Sequence, residues 1–305
     1  MNKPGKSRFK KANLNKSIFK NSYKTFKTMK RIILLTITAL LVNLSFAQDI
    51  DLDVKAVGYG RQGGVEKTFK LTPKGNASDI TLSIENFYGD ITIAAVNTPE
   101  LVISTKNYEG VPEKAQGLKP LSATGSDNTD IGLSVTQKGN VIKVSAASRK
   151  ADGHYLLKVP QNMKVKADLN SWQAGDFVVS GLTNEIDVKT QNGDVILRNV
   201  KGPVVANTLS GDITVIFTGI SQTTPTSITS TSGDIDVTLP TSTKGAFKLS
   251  TISGEVYTDV NFDVKNEEGM RRMAGGMSVD ATLNGGGVNI LLKSISGDVY
   301  IRKDK

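Results

Sequence analysis

Ile186-Asp-Val-Lys-Thr-Gln-Asn-Gly-Asp-Val-Ile-Leu197 decides the fold, and most of it returns as Val204-Val-Ala-Asn-Thr-Leu-Ser-Gly-Asp-Ile-Thr-Val215. Apolar residues alternate with polar ones on both sides of a Gly-Asp pair, the period of two expected for strands with one buried face. The pair recurs as Gly89-Asp90, Gly175-Asp176, Gly193-Asp194, Gly211-Asp212, Gly233-Asp234, Gly254-Glu255 and Gly297-Asp298. From Gly175 to Gly254 the glycines are 18, 18, 22 and 21 residues apart, and the last gap is 43, about twice the unit. A fixed period of this length is the mark of stacked supersecondary units.

Alignment on the glycine extends the unit. Two and four residues after it stand Ile91/Ile93, Phe177/Val179, Val195/Leu197, Ile213/Val215, Ile235/Val237 and Val299/Ile301. Seven and five before it stand Leu82/Ile84, Ile186/Val188, Val204/Ala206, Phe247/Leu249 and Ile290/Leu292. Three before it is a small polar residue: Asn86, Thr190, Thr208, Ser230, Thr251 or Ser294. Asn-Gly and Ser-Gly offer positive φ for a sharp turn, and Gly181, Gly202, Gly219 and Gly245 offer a second turn per coil. The expected fold is all-β, a β-solenoid or parallel β-helix-like stack with little or no helix outside a leader segment. A hairpin-built sandwich or roll is the competing architecture, since Asn-Gly with flanking alternation is also a hairpin signal.

Departures from the unit are informative. Before Gly175, Asp168 and Asn170 occupy the apolar positions, and a one-residue bulge would turn Ala167 and Leu169 inward instead. After Glu255 the strand is weak. Residues 259–278 read as a polar loop with adjacent Arg271 and Arg272 among methionines. Residues 79–160 are strand-rich without the tight period and carry a polar insertion at 106–130, whereas 161–305 form the regular repeat.

The net charge of +9 is local. Residues 1–31 hold eleven Lys and Arg and no acid, which leaves −2 for residues 32–305. The basic arm invites a nucleic-acid reading, but it leads into a 13-residue apolar run, Ile32–Leu44, and Ser45-Phe-Ala47. That order predicts a secretory signal peptide cleaved after Ala47, with Met29 opening a compact signal by itself. Residues 1–47 are thus expected to be a leader and 48–78 an exposed lead-in. No further apolar run is long enough to span a bilayer, so the expectation is an exported chain with no membrane span after cleavage and no nucleic-acid partner.

The chain has no Cys and a single His, His154. This excludes thiolate chemistry, disulfides and any zinc site with two imidazoles. The Asp column (Asp90, Asp176, Asp194, Asp212, Asp234, Asp298) has two readings: a ladder of divalent-cation ligands, or carboxylates that accept turn N–H groups. The second is favoured, and no cofactor or metal is expected. The Ser/Thr/Asn column reads as a hydroxyl ladder rather than a row of nucleophiles. Trp172 and the loop residues Met270, Arg271, Arg272 and Met273 are the candidate binding contacts, because an exposed Trp anchors partners and Met-rich loops adapt to them.

Leu82-Ser-Ile-Glu-Asn-Phe-Tyr-Gly-Asp-Ile-Thr-Ile93, then Tyr155-Leu-Leu-Lys-Val-Pro160, then the Gly-Asp units together resemble the bacterial "putative adhesin" family of β-repeat envelope proteins. The resemblance implies a β-solenoid-like domain and an adhesin role toward a protein or glycan ligand, with no catalytic residues to carry over. A periplasmic structural protein without adhesive role is the alternative, and a polysaccharide-active β-helix enzyme is third.

Overall fold

The computed structural model describes residues 66–304, except 107, 109, 111, 119–124, 148–152, 265–269 and 274–275 and the side chains of 270–276. The expected leader, its basic arm and most of the lead-in lie outside the described residues. What is described belongs to one compact unit, residues 60–305.

Two sheets face each other across one continuous core, and each repeat gives one strand to each sheet. The ten-stranded sheet runs, in spatial order, through Lys67–Leu71, Leu101–Thr105, Tyr155–Pro160, Gly89–Val96, Ala174–Ser180, Val195–Val200, Ile213–Phe217, Ile235–Leu239, Val299–Lys303 and Val256–Thr258. The facing sheet runs through Asp263–Val264, Gly276–Leu283, Gly245–Thr251, Asn289–Ser294, Thr226–Ser232, Val204–Ser210, Ile186–Thr190, Lys164–Leu169, Thr81–Glu85, Val141–Ala146 and Leu133–Lys138. Met270–Met273 pairs beside Gly276–Leu283. The only helical turns among the described residues are the 3-10 segments Ala77–Asp79 and Glu113–Ala115. This is a β-solenoid, with parallel in-register pairing through its body.

Every apolar pair aligned on the glycine points inward and is buried. Like residues stack on like: Val195 pairs with Ile213 and Ile213 with Ile235, while in the facing sheet Ile186 pairs with Val204. Each such side chain contributes about 1.5–3 kcal/mol by leaving water. Thr226 takes an apolar position in its coil, and its buried hydroxyl accepts the backbone N–H of Val204 at 3.4 Å.

The stack departs from sequence order at both ends. Asn289–Ser294 and Val299–Lys303, the last coil of the chain, sit between the 226–239 coil and the 245–258 coil. The 43-residue gap therefore does not mark a skipped repeat: Gly254 lies beyond Gly297 in space. At the other end Val141–Ala146 and Tyr155–Pro160 stack outside Thr81–Glu85 and Gly89–Val96. Residues 79–160 thus continue the solenoid that the sequence suggested only for 161–305. Antiparallel strands are added at each end: Leu101–Thr105 and then Lys67–Leu71 in one sheet and Leu133–Lys138 in the other at one end, and Gly276–Leu283 and then Asp263–Val264 in the facing sheet at the other.

Two further expectations are corrected. Within the segment expected to be a polar loop at 259–278, Met270–Met273 and Gly276–Leu283 pair as antiparallel strands. The alternation Val279, Ala281, Leu283 that follows the expected loop begins already at Met277, inside it, and belongs to this second strand. Gly245, expected in a turn, opens the strand Gly245–Thr251, where a Cβ would meet Ile290 Cδ1 at 2.7 Å.

Candidate functional site: the Gly-Asp corner

The Gly-Asp pairs form one edge of the solenoid, where the chain passes from one sheet to the other. Glycine is needed there mainly because of its neighbours. A Cβ on Gly193 would lie 2.2 Å from the Gly175 carbonyl oxygen, on Gly211 2.1 Å from that of Gly193, on Gly233 2.0 Å from that of Gly211, and on Gly297 2.2 Å from that of Gly233. Gly193 (φ +82°) and Gly211 (φ +143°) are also left-handed, as the turn reading expected. Gly175, Gly233, Gly254 and Gly297 are not among the positive-φ residues, so their glycines answer to coil-on-coil contact alone.

The aspartates form a ladder between coils. The N–H of Asp176 donates to Asp90 Oδ1 (3.0 Å), that of Asp194 to Asp176 Oδ1 (2.9 Å) and that of Asp212 to Asp194 Oδ1 (3.0 Å). Asp234 donates in the same way to Asp212 (2.8 Å), Asp298 to Asp234 (2.8 Å) and Glu255 to Asp298 (2.8 Å). Each carboxylate accepts from the next coil rather than from its own turn. Among the described residues no group of three or more His, Cys, Asp or Glu side chains is placed to hold a metal ion.

The buried hydroxyls do not bond to one another. Ser230 donates to Gly211 O (3.3 Å), Ser294 to Gly233 O (2.9 Å) and Thr251 to Gly297 O (2.8 Å). They reach the same carbonyls that leave no room for a Cβ. Thr190 turns instead to the carbonyl of Asn192, and the buried Thr208 hydroxyl has no partner among the described residues. Asn86, which the sequence placed in this column, is exposed, with φ 49°.

His154 stands at the end of the ladder. Tyr155 pairs with Ile91, so Gly153-His154 takes the place of Gly-Asp in its coil. Its Nδ1 lies 3.5 Å from Asp90 Oδ2 and its Nε2 3.4 Å from Thr92 Oγ1. The bond to His154 holds the Asp90 carboxyl below its ordinary range; partial burial opposes this and the Asp176 N–H adds to it. A carboxyl depressed on folding stabilises the fold above its unfolded value, about 3.9, and that contribution is lost as pH falls through the lowered value. His154→Ala is expected to move the Asp90 titration upward, which carboxyl-detected NMR would read.

Trp172 lies at this corner and is 76% exposed. Ala167 and Leu169 do turn inward, but the upstream strand carries no bulge there. The register of Lys164–Leu169 with Ile186–Thr190 is unbroken, and the surplus residues leave as a longer corner around Asn170-Ser171-Trp172. A one-residue shift occurs downstream instead, between Ala174 and Phe177. Asn192 Nδ2 donates to the Trp172 carbonyl (3.0 Å), so the backbone is pinned while the indole faces water. Met270, Arg271, Arg272 and Met273 have their strand described but not their side chains.

A feature that the sequence did not single out is a row of outward side chains beside Trp172 in which apolar and polar residues alternate before ending on two isoleucines. Two residues before the corner glycine, Gln191, Leu209, Thr231, Ile295 and Ile252 point outward in that axial order. Leu209 is 56% exposed and Ile252 48%. Elsewhere, at the end of the ten-stranded sheet, Tyr257 stacks on Tyr300 with ring centroids 5.4 Å apart, and Arg302 makes a bidentate bond to Asp236. The Tyr300 hydroxyl donates to Asp298 Oδ2 (2.9 Å) and its pKa is pushed up to about 12, chiefly by that bond. Tyr257, Tyr300 and Asp236 all stand three residues after a corner glycine, and the coil order sets Tyr300 between the other two.

The stacked coils match a described family pattern, Toastrack DUF4097, over residues 47–302. The chain belongs to this family. Solved structures similar to it include a "putative cell adhesion protein" from Clostridium sporogenes, 13% identical, covering 79% of this chain and 100% of its own, with a TM-score of 0.42. A "putative adhesin" from Bacteroides fragilis is 12% identical, covering 79% of this chain and 97% of its own, with a TM-score of 0.27. A "putative lipid binding protein" from Parabacteroides distasonis is 11% identical with the same coverages and a TM-score of 0.27. No curated protein matches the chain. Among the described residues, no helix of this Toastrack chain is long and apolar enough to cross a membrane.

Proposed function

We propose that the chain is an exported, non-enzymatic binding scaffold of the bacterial cell envelope, an adhesin in the sense that it holds a partner without transforming it. The observation that carries this reading is the set of exposed large apolar side chains along the Gly-Asp corner, Trp172, Leu209 and Ile252. Large apolar side chains gathered on a rigid surface are the usual mark of an interaction site. The carboxylates that would be the obvious acid–base candidates are engaged in holding coil to coil, and the lone His caps their ladder. Export rests on the basic, apolar and small-residue order of residues 29–47.

Protease treatment of intact and permeabilised cells tests this. Digestion of the chain on intact cells is expected. Protection until permeabilisation would remove the adhesive role and leave an internal envelope scaffold. Polysaccharide cleavage abolished by changing one outward Asp would overturn the non-enzymatic assignment.

A further inference from the structure

We propose that the Gly-Asp corner is a docking strip for an extended, basic polypeptide segment carrying an apolar side chain at every third residue. This rests on the binding-scaffold reading and names the partner's chemistry.

The backbone fixes the row. The N–H of Ser210 donates to Gln191 O (3.0 Å), that of Ser296 to Thr231 O (3.0 Å) and that of Ser253 to Ile295 O (3.0 Å), so the outward residues follow one another coil by coil. Coils repeat at the strand spacing, about 4.8 Å. Trp172 lies two coils from Leu209, and Leu209 two coils from Ile295, with Ile252 next. Trp172, Leu209 and Ile295 therefore stand about 9.6 Å apart along the axis, and Ile252 stands about 4.8 Å beyond Ile295, over a strip about 24 Å long. A polyproline-II segment advances about 9.3 Å per three residues, which brings one side of it onto the coils of Trp172, Leu209 and Ile295 in turn, with Ile252 out of step. A β-strand, whose like-facing residues recur at about 6.8 Å, drifts out of step after one contact.

Charge supplies the second half of the match. Asp194, Asp212, Asp234, Asp298 and Glu255 run parallel to the row, three positions further along each coil. Only Asn192, Ser210, Ser232, Ser296, Ser253 and the corner glycines stand between the two columns, so no bulky side chain separates apolar contact from carboxylate. Carboxylates repeated at one strand spacing repel one another, and Lys or Arg side chains laid along them relieve that repulsion. Beyond Trp172, the contacts Leu209, Ile295 and Ile252 offer no ring face for a sugar and no hydrogen bond to its hydroxyls, which favours a polypeptide over a glycan.

Trp172 is the only Trp in the chain and reports on the strip directly. The purified chain is titrated with a synthetic peptide of Leu-Pro-Lys triplets, about nine residues long so as to cover the strip. A saturable blue shift of Trp172 emission is expected, weakened by salt. Leu209→Ser weakens the affinity by about tenfold while leaving the thermal midpoint unchanged, since the side chain faces water. The matching Leu-Pro-Glu peptide gives no shift. Equal binding of both peptides, unchanged affinity in Leu209→Ser, or no saturable shift at all would overturn the proposal. A shift with a neutral oligosaccharide and none with the peptide would overturn the polypeptide assignment while leaving the scaffold reading intact. That reading fails separately, in the cell-surface digestion.

Discussion

Gly233→Ala is expected to cost at least about 4 kcal/mol, the range reserved for direct steric conflict in a packed interior, or to prevent folding. The added Cβ would sit 2.0 Å from the Gly211 carbonyl oxygen and 2.5 Å from its carbon, and both atoms belong to the backbone of the adjacent coil. Neither can move without parting two sheets at once, because the strands leaving this corner enter opposite sheets. Gly139→Ala is the matched comparison. Gly139 has φ +56° and nothing within 4 Å of the place a Cβ would take, so only the left-handed conformation is penalised, at about 1–2 kcal/mol. Urea unfolding of the two variants separates close contact from backbone strain. Equal losses would mean that the coils are not stacked glycine on glycine.

Removing residues 289–305 is expected to release far more than the last coil. In a solenoid stacked in sequence order, loss of the final repeat exposes one new end and leaves the rest paired. Here the final coil is an interior layer. Its Ile290, Leu292, Val299 and Ile301 are buried, and Asp298 links Asp234 to Glu255 in the ladder. Without it, strands 245–251 and 256–258 lose their parallel partners in both sheets. Hydrogen exchange is expected to show residues 245–283 unprotected while 164–239 keep their protection. The point variant Leu292→Ala gives the same pattern in a milder form, at about 2–5 kcal/mol. Protection of 245–283 in the truncated chain would show that this end folds on its own.

These outcomes show which parts of the structure the residues declare by themselves. A period of two on both sides of a recurring glycine announces strands, their inward faces and a stacked core, and each aligned apolar pair lies where the alternation puts it. Spatial order is another matter. Nothing local tells Gly297 to stack on Gly233 while Gly254 stacks on Gly297, since all three share one Ser-Gly corner and can fit one another. The antiparallel strand Gly276–Leu283 occupies the outer side of Gly245–Thr251, and the last coil pairs on its inner side. The corner shows the same limit. Trp172 is visible as a candidate because it breaks the repeat, but Leu209 and Ile252 look like ordinary strand-end residues until the stack lines them up. His154 reads as a lone side chain because its partner Asp90 is 64 residues away.

The order of the coils carries both the corner strip and the predicted collapse of the C-terminal end, and a chain without Cys allows it to be tested directly. Ser227 pairs with Leu291, and Leu291 pairs with Lys248. One variant carries Ser227→Cys with Leu291→Cys, the other Ser227→Cys with Lys248→Cys. Both are treated with a bifunctional thiol reagent whose span matches one coil spacing, about 4.8 Å. The inserted C-terminal coil predicts efficient cross-linking of the first pair and none of the second, whose members are two coils apart. Cross-linking of the second pair in place of the first would mean that the coils stack in sequence order and would contradict the account.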